Sequence, residues 1–394
     1  MNSEEIYNLS DSHVMQTYRR YPLALVRGRG MKVWDADGRE YLDFLAGIAV
    51  CNLGHCHPLV THAIAEQAKT LMHVSNLYYI EPQAQLAAML TEKSFAQRAF
   101  FCNSGAEANE AAIKLARRYA REIRGIEAAE IITMHQSFHG RTLATLSATG
   151  QEKIQTGYQP LLAGFRYVPF GDPGEVAKAV NKNTCAVMVE PIQGEGGVIV
   201  PASGYLRELR RICDDYNLLL ILDEVQCGMG RSGRLFAYQH DGIEPDVMTL
   251  AKALGAGFPI GAMLASNDAA RVFGAGSHAS TFGGNPLACS AAIAALNAID
   301  TDDVLSNCKK MGEYLRQQLG KLKENHKCII DIRGLGLMIG VELAAPISEV
   351  IRRCQKKGIL VGPAGEKTLR LTPPLIVTQP DIDRLIEVLN EVLP

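Results

Sequence analysis

Three short segments of this 394-residue chain carry side chains with chemical potential. Leu218-Leu219-Leu220-Ile221-Leu222 is an apolar run that reads as a buried strand, and it ends in Asp223. A carboxylate at the carboxyl end of a core strand stands where α/β sheets bind their ligands. Further on, Val247 to Leu250 forms a second such run, followed by Lys252 and a Gly-rich stretch. Upstream, Asn103-Ser104-Gly105-Ala106-Glu107 joins the apolar run Ala99 to Cys102 to the helical pattern Ala111 to Arg124. Free backbone N–H groups, the Ser104 hydroxyl, the openness of Gly105 and the helix dipole would together suit an anion such as phosphate. The same residues also fit a simpler role, with Ser104 as N-cap and Glu107 closing a capping box.

An acid and a lysine at the ends of two core strands, with a phosphate cradle upstream, are the parts that a pyridoxal phosphate site requires. A lysine with an ordinary pKa of about 10.4 is a poor nucleophile at neutral pH. Condensation with the cofactor aldehyde removes that problem, because an incoming amine then exchanges with an existing imine. Asp223 would hold the pyridine nitrogen protonated, as an adjacent opposite charge shifts such an equilibrium by about 1 to 3 pKa units. Once displaced, Lys252 is a free amine beside the reacting carbon and fits the part of general base and acid. A nucleotide triphosphatase is disfavoured, since no GxxxxGK[ST] loop accompanies Asp223. Cys51-Asn52-Leu53-Gly54-His55-Cys56-His57 gathers metal-ligating residue types, but its spacing matches no paired zinc pattern, and no metal is expected. Gly334-Leu335-Gly336-Leu337-Met338-Ile339-Gly340 has one residue too many for a dinucleotide loop and runs into a strand-like segment, which suits a turn.

The elements that must position these residues follow from periodicity. Ala99 to Cys102, Ile131 to Met134, Ala186 to Val189, Leu218 to Leu222 and Val247 to Leu250 alternate with helical patterns. Such alternation predicts an α/β fold, with a large, mostly parallel sheet flanked by helices. Met31 to Phe44 places an Asp-Gly turn between two β-prone runs and predicts a hairpin. After residue 285 come an Ala-rich helix (Pro286 to Ile299), a charged helix (Lys309 to Lys323) and strand-like runs near Ile329, Met338 and Leu369, a smaller α+β domain. The expected division is 1–50, an N-terminal segment packing with the small domain; 51–285, the large cofactor-binding domain; and 286–394, the small domain. Forty Lys and Arg against 42 Asp and Glu leave a net charge of -2, so no bulk field draws nucleic acid or an anionic membrane. Apolar runs are too short to span a bilayer, and no leader peptide is evident, so the cytoplasm is the expected compartment. Ten cysteines without paired spacings are expected to remain reduced.

Six motifs then fix a resemblance. Ser104-Gly105-Ala106-Glu107-Ala108-Asn109, Ser137-Phe138-His139-Gly140-Arg141, Glu190-Pro191-Ile192-Gln193-Gly194-Glu195-Gly196-Gly197, Asp223-Glu224-Val225-Gln226, Lys252 and Thr281-Phe282-Gly283-Gly284-Asn285-Pro286 follow one another in the order seen in class III pyridoxal-phosphate aminotransferases. The resemblance extends from Trp34 to Arg370, and within the class it is to the acetylornithine and ornithine branches. It implies a fold-type I transferase that binds pyridoxal 5'-phosphate through Lys252, with Asp223 on the pyridine nitrogen and Gln226 beside the ring hydroxyl. Phe138 would stack on the ring, with Ser104, Gly105 and Ala106 at the phosphate. It also implies a homodimer with shared active sites, in which Thr281 reaches the partner's phosphate and Ser280 lies near substrate. Arg141 and Arg370 would grip substrate carboxylates, Glu195 would pair with one of them when only one carboxylate is present, and Tyr18 would stand near the substrate. The implied reaction carries the terminal amine of N2-acetylornithine to 2-oxoglutarate, in arginine biosynthesis. Ornithine, succinylornithine, succinyl-diaminopimelate and 4-aminobutyrate are alternative donors, and a non-catalytic cofactor-binding protein is the remote alternative.

Overall fold

Strands that are apolar on both faces are stable only within a sheet covered on both sides, and here they pair with one another. The computed structural model describes residues 1–394. Its large sheet has seven strands in the order Arg98–Cys102, Gly261–Ala265, Val247–Leu250, Leu219–Asp223, Thr184–Val189, Glu130–Met134 and Phe165–Val168. Gly261–Ala265 runs antiparallel to both neighbours, and the remaining pairs are parallel. Val187, Leu220, Ile221, Leu222 and Leu250 are wholly buried in it. The two strands absent from the apolar runs have local causes. Phe165–Val168 is a short edge strand interrupted by Arg166, and Gly261–Ala265 has only two large apolar side chains, Met263 and Leu264.

The helix Gly105–Arg124 starts at Ser104, whose Oγ accepts the Glu107 N–H, and ends at Gly125 in the left-handed region. Its buried face of Ala108, Ala112, Leu115, Ala116 and Tyr119 packs on the sheet. It leads from the edge strand Arg98–Cys102 to Glu130–Met134, which lies on the far side of four other strands. The carboxyl ends of Arg98–Cys102, Leu219–Asp223 and Val247–Leu250 therefore open on one edge of the sheet, which brings the 103–105 turn, Asp223 and Lys252 together.

The hairpin forms with Val33 opposite Tyr41 and Gly38 in its turn; Leu25–Arg29 pairs antiparallel with its first strand, and the C-terminal strand Ile359–Leu360 joins in parallel with Glu40–Asp43 to make four strands. A second four-stranded sheet, antiparallel throughout, takes Ile329–Leu335, Met338–Leu343, Thr368–Leu371 and Gly362–Ala364. Gly336 turns the first hairpin of that sheet. The helix Pro286–Thr301 lies against Pro58–Thr70 and Glu81–Glu92 and leads into Val304–Asn325.

Arg231 ties these parts together. It is fully buried, and its guanidinium donates to the carbonyl oxygens of Leu337 at 3.0 Å and Pro373 at 2.6 Å and to the side-chain oxygen of Asn52. No carboxylate accompanies it, and burial pulls its pKa down to about 10. Arg231→Met would leave three buried acceptors without a donor at about 1 to 3 kcal/mol each. The variant is expected to lose at least about 3 kcal/mol on that basis, read as a lower urea midpoint. An unchanged midpoint would mean that the acceptors find other donors.

Candidate active site

At the carboxyl edge of the large sheet lies a cavity of about 420 Å³. Asp223, Lys252 and Gln226 line it from the strand ends, and Ser104, Gly105 and Ala106 from the helix start. Phe138 and Arg141 close another side.

Asp223 is nearly buried and held from several directions. Its Oδ2 accepts from Asn109 Nδ2 at 2.7 Å and His139 Nδ1 at 2.8 Å, while Oδ1 accepts the Val225 N–H at 3.1 Å. Those partners are themselves fixed. Asn109 accepts from Thr249 Oγ1 and donates to the His139 carbonyl, and His139 Nε2 meets Thr133 Oγ1. A carboxylate offers about four acceptor sites, so one remains for a donor in the cavity.

Lys252 opens a short 3-10 turn with φ of +43°, a left-handed conformation uncommon outside glycine. Burial pulls its pKa down, with Glu195 and Asp223 opposing. At the helix start, Gly105 is required by close approach, because a Cβ there would fall 2.8 Å from Val225 Cγ1. Ser104 does cap the helix, although the Glu107 carboxylate accepts from the Asn103 N–H and the Ser104 hydroxyl rather than from the Ser104 N–H. The cap and the cradle are the same turn.

The Phe138 backbone N–H is held by Glu190 at 2.9 Å, and the Arg141 guanidinium lies 5.7 Å from the Phe138 ring centre. Arg370 enters from the small domain. It is almost fully buried, forms a two-pronged ion pair with Glu195 and donates to Gln226 Oε1 at 3.0 Å. Burial works against the Glu195 charge, yet Arg370 holds its carboxyl below the usual range. Gln226 links this pair to the cavity wall.

Ser280 Oγ accepts from Asn103 Nδ2 at 3.2 Å, beside the cradle. Thr281 and Tyr18 are exposed and stand apart from this cavity. Sequence reasoning assigned no part to Asn109, His139, Glu190 or Val225, all of which line it. Asn109 carried a readable signal, being a polar residue one turn beyond Gly105 on an otherwise alanine-rich inner face. No group of three His, Cys, Asp or Glu side chains is arranged to hold a metal.

The class-III aminotransferase family model matches residues 14–393. The chain belongs to that family. An acetylornithine aminotransferase from Caldanaerobacter subterraneus subsp. tengcongensis is 53% identical over 382 residues, covering 97% of each chain. One from Methanocaldococcus jannaschii is 50% identical over 394 residues, covering 100% of this chain and 98% of that one. Among solved structures, an ornithine aminotransferase from Toxoplasma gondii superposes with a TM-score of 0.96 at 34% identity, covering 100% and 95% of the two chains. N-acetylornithine aminotransferase from Stenotrophomonas maltophilia does so with 0.84 at 39%, covering 98% and 97%.

This class-III aminotransferase is thus a pyridoxal-phosphate enzyme of the α/β fold expected from its sequence. The residues present fit that group: Asp223 keeps an acceptor site for a ring N–H, the 104–106 turn presents backbone donors, and Lys252 supplies the amine.

Glu190 gives the site a pH signature. Burial pushes its pKa from 4.5 up to about 7, partly offset by His139 and by the N–H groups of Gly194 and Phe138. As pH rises between those values the unfolded chain releases this proton first, so its contribution to stability falls across that window. Glu190→Gln removes the titration, and its melting temperature is expected to gain on wild type between pH 5 and pH 8. A constant difference would show that the Glu190 carboxyl is ionised throughout.

Proposed function

We propose that this enzyme transfers the terminal amino group of N2-acetylornithine to 2-oxoglutarate, giving N-acetylglutamate semialdehyde and glutamate. The observation that carries the reading is the meeting of Lys252, Asp223 and the 104–106 turn in one cavity, in a chain about half identical to acetylornithine aminotransferases. Bound pyridoxal phosphate supplies an aldehyde that condenses with amines and a protonated ring that draws electrons from the reacting carbon.

The chain's own residues do the rest. Asp223 keeps the ring nitrogen charged, and Asn109 and His139 keep Asp223 in place. Phe138 and Val225 would give the ring apolar walls, and Gln226 would stand beside its hydroxyl. Lys252, whose pKa burial lowers, would hold the cofactor through its amine and, as a free amine, would move the proton at the substrate carbon that bears the transferred amine.

Glutamate carries two carboxylates and acetylornithine one, so a single site needs two arginines and a means of hiding one. Arg141 stands exposed at the cavity mouth and takes the carboxylate common to both substrates. Arg370 takes the second, displacing Glu195, which returns to it when no second carboxylate is present. The existing Arg370–Glu195 pair supports that exchange, and Arg suits it because its planar fork receives either carboxylate.

A homodimer completes the site in this reading. Leu77, Tyr79 and Phe282 are strongly exposed, and Asn76 ties their segments together through the carbonyls of Ser280 and Gly283. An apolar face of that kind suits a second copy, whose cavity Thr281 would serve. The large cofactor domain is taken as 51–285 between the N-terminal segment and the small domain, and the setting is arginine biosynthesis in the cytoplasm. Tyr18 joins the substrate side only if dimerisation brings it there.

Holoenzyme mixed with a single donor and no keto acid tests the reading. Acetylornithine is expected to remove the visible absorption fastest, and 2-oxoglutarate to restore it. Faster loss with ornithine, succinyl-diaminopimelate or 4-aminobutyrate would replace the donor. Lys252→Ala is expected to fold and to lose at least about a hundredfold in kcat. Wild-type activity in that variant would remove Lys252 from the mechanism.

A further inference from the structure

The small-domain hairpin that turns through Gly334 to Gly340 lies directly against the loop that carries Glu195. We propose that Arg333 is a positioning residue for substrate choice: with Thr368 it clamps the Gly197 carbonyl to the small-domain sheet, which holds the Glu195 carboxylate over Arg370 and leaves its displacement to rotation of the Glu195 side chain. This rests on the reading in which Glu195 yields Arg370 to a substrate carboxylate, and it identifies what sets the balance of that exchange.

The register of the small sheet puts the parts in place. Arg333 pairs with Gly340, and Gly340 pairs with Arg370. Residues paired across antiparallel strands share a face, so the two arginines project from the same side of the sheet with a glycine between them. On that face, two residues along each strand, Asp331 pairs with Glu342 and Glu342 with Thr368. The gap at Gly340 is the seat of the loop. A Cβ there would fall 3.0 Å from Val198 Cβ and 3.1 Å from the Gly197 carbonyl oxygen.

Arg333 closes one side of that seat. Its Nε and Nη2 both donate to the Gly197 carbonyl, at 3.0 and 2.8 Å, and Nη2 also donates to Thr368 Oγ1 at 3.1 Å. Nη1 donates to Glu342 at 2.6 Å and to Asp331 at 3.1 Å, so the guanidinium is itself held. Two donors of one planar fork on a single carbonyl fix its direction as well as its distance. Gly197 has φ of +121°, a backbone conformation open to glycine, and a Cβ on it would come 3.2 Å from Arg333 Nη2.

The other foot of the loop is fixed to the large domain. Glu190 accepts the Gly194 N–H at 3.0 Å, and Gln193 exchanges two backbone hydrogen bonds with Ile199, at 3.0 and 2.9 Å. The Gln193 side chain donates to the His135 carbonyl at 2.9 Å. A Cβ on Gly196 would fall 2.7 Å from the Gln136 carbonyl oxygen. With the backbone tied on both sides of Glu195, the exchange at Arg370 falls to its side chain.

The clamp favours one state of that exchange. Glu195 reaches Arg370 only from a loop held in place, whereas a substrate carboxylate on Arg370 has no such need. Loosening the loop therefore adds an ordering cost to the Glu195 pair alone. A dicarboxylate then meets a weaker competitor and binds more tightly. Acetylornithine, with no second carboxylate, meets a buried guanidinium that has lost its partner, and reacts less well. General damage to the site would instead weaken both substrates.

The test measures holoenzyme with acetylornithine as sole donor and then with 2-oxoglutarate, and uses glutarate as a dicarboxylate that binds without reacting. In Arg333→Met, kcat/KM for acetylornithine is expected to fall at least about fivefold, while KM for 2-oxoglutarate and the inhibition constant of glutarate fall at least about threefold. Thr368→Val leaves every charge in place and should shift both in the same directions by at least about twofold. Thr368→Ser, which restores the hydroxyl, should return them to wild-type values. Glu195→Gln, run in parallel, should move both quantities in the same directions as Arg333→Met. Equal loss on both substrates, no shift in the clamp variants, or a shift in Arg333→Met without one in Thr368→Val would each overturn the clamp. If Glu195→Gln shifts the two substrates apart and the clamp variants do not, the exchange stands and the clamp alone fails. If Glu195→Gln changes neither, the exchange fails and the clamp with it. Should Arg333→Met not fold, Thr368→Val and Thr368→Ser decide.

Discussion

A carboxylate buried at a strand end, and the polar partners its burial demands, is the constraint on which the cavity depends. Burying an ionised group costs several kcal/mol unless polar partners replace its water. For Asp223 those partners are Asn109 from the helix Gly105–Arg124, His139 from the loop after Glu130–Met134, and the Val225 N–H from its own turn. Each comes from a different element, so the sheet order must be right before the carboxylate can be. Two other carboxyls lie close by. Glu190 and Glu224 are pushed by burial to about 7, and Glu224 is engaged by the N–H groups of Ala237 and Tyr238. Asp223 alone of the three combines a dense set of donors with an acceptor site turned to the cavity.

The second organising feature is the crossing of the small domain into the large one. Arg370 stands on a small-domain strand, yet its ion pair is with Glu195 and its further hydrogen bond is with Gln226. Arg231 makes the reverse crossing, from the loop after Gln226 to carbonyls of the small domain and to Asn52. The loop from Asp223 to Arg231 therefore lines the cavity at one end and ties the two parts of the fold at the other. Displacement of Glu195 by a substrate carboxylate would change what Arg370 holds without leaving the guanidinium unpaired, so the domain contact is kept through the cycle.

Much of this was legible in the sequence because buried parallel strands are written as unbroken apolar runs. Thr184–Val189, Leu219–Asp223 and Val247–Leu250 could be read that way, and the polar residues that follow them marked the site. The strands Phe165–Val168 and Gly261–Ala265 could not, since an edge strand with a charged residue and a strand with only two large apolar side chains give a weaker signature. Among site residues, Asp223, Lys252 and the 104–106 turn follow from position alone. His139 and Glu190 do not, because their worth lies in contacts between segments distant in sequence. At the Cys51 segment the spacing spoke against a metal, and what the pattern does not show is the left-handed turn and the Asp43 carboxylate that holds His55.

The account stands on the claim that Asp223 keeps the ring nitrogen of the cofactor protonated. Nitrogen-15 NMR of holoenzyme loaded with ring-labelled pyridoxal phosphate reads that proton directly, in wild type and in Asp223→Asn. A protonated-pyridine shift in wild type, lost in the variant, is the expected result. An unprotonated nitrogen in wild type, or the same shift in both proteins, would contradict the account.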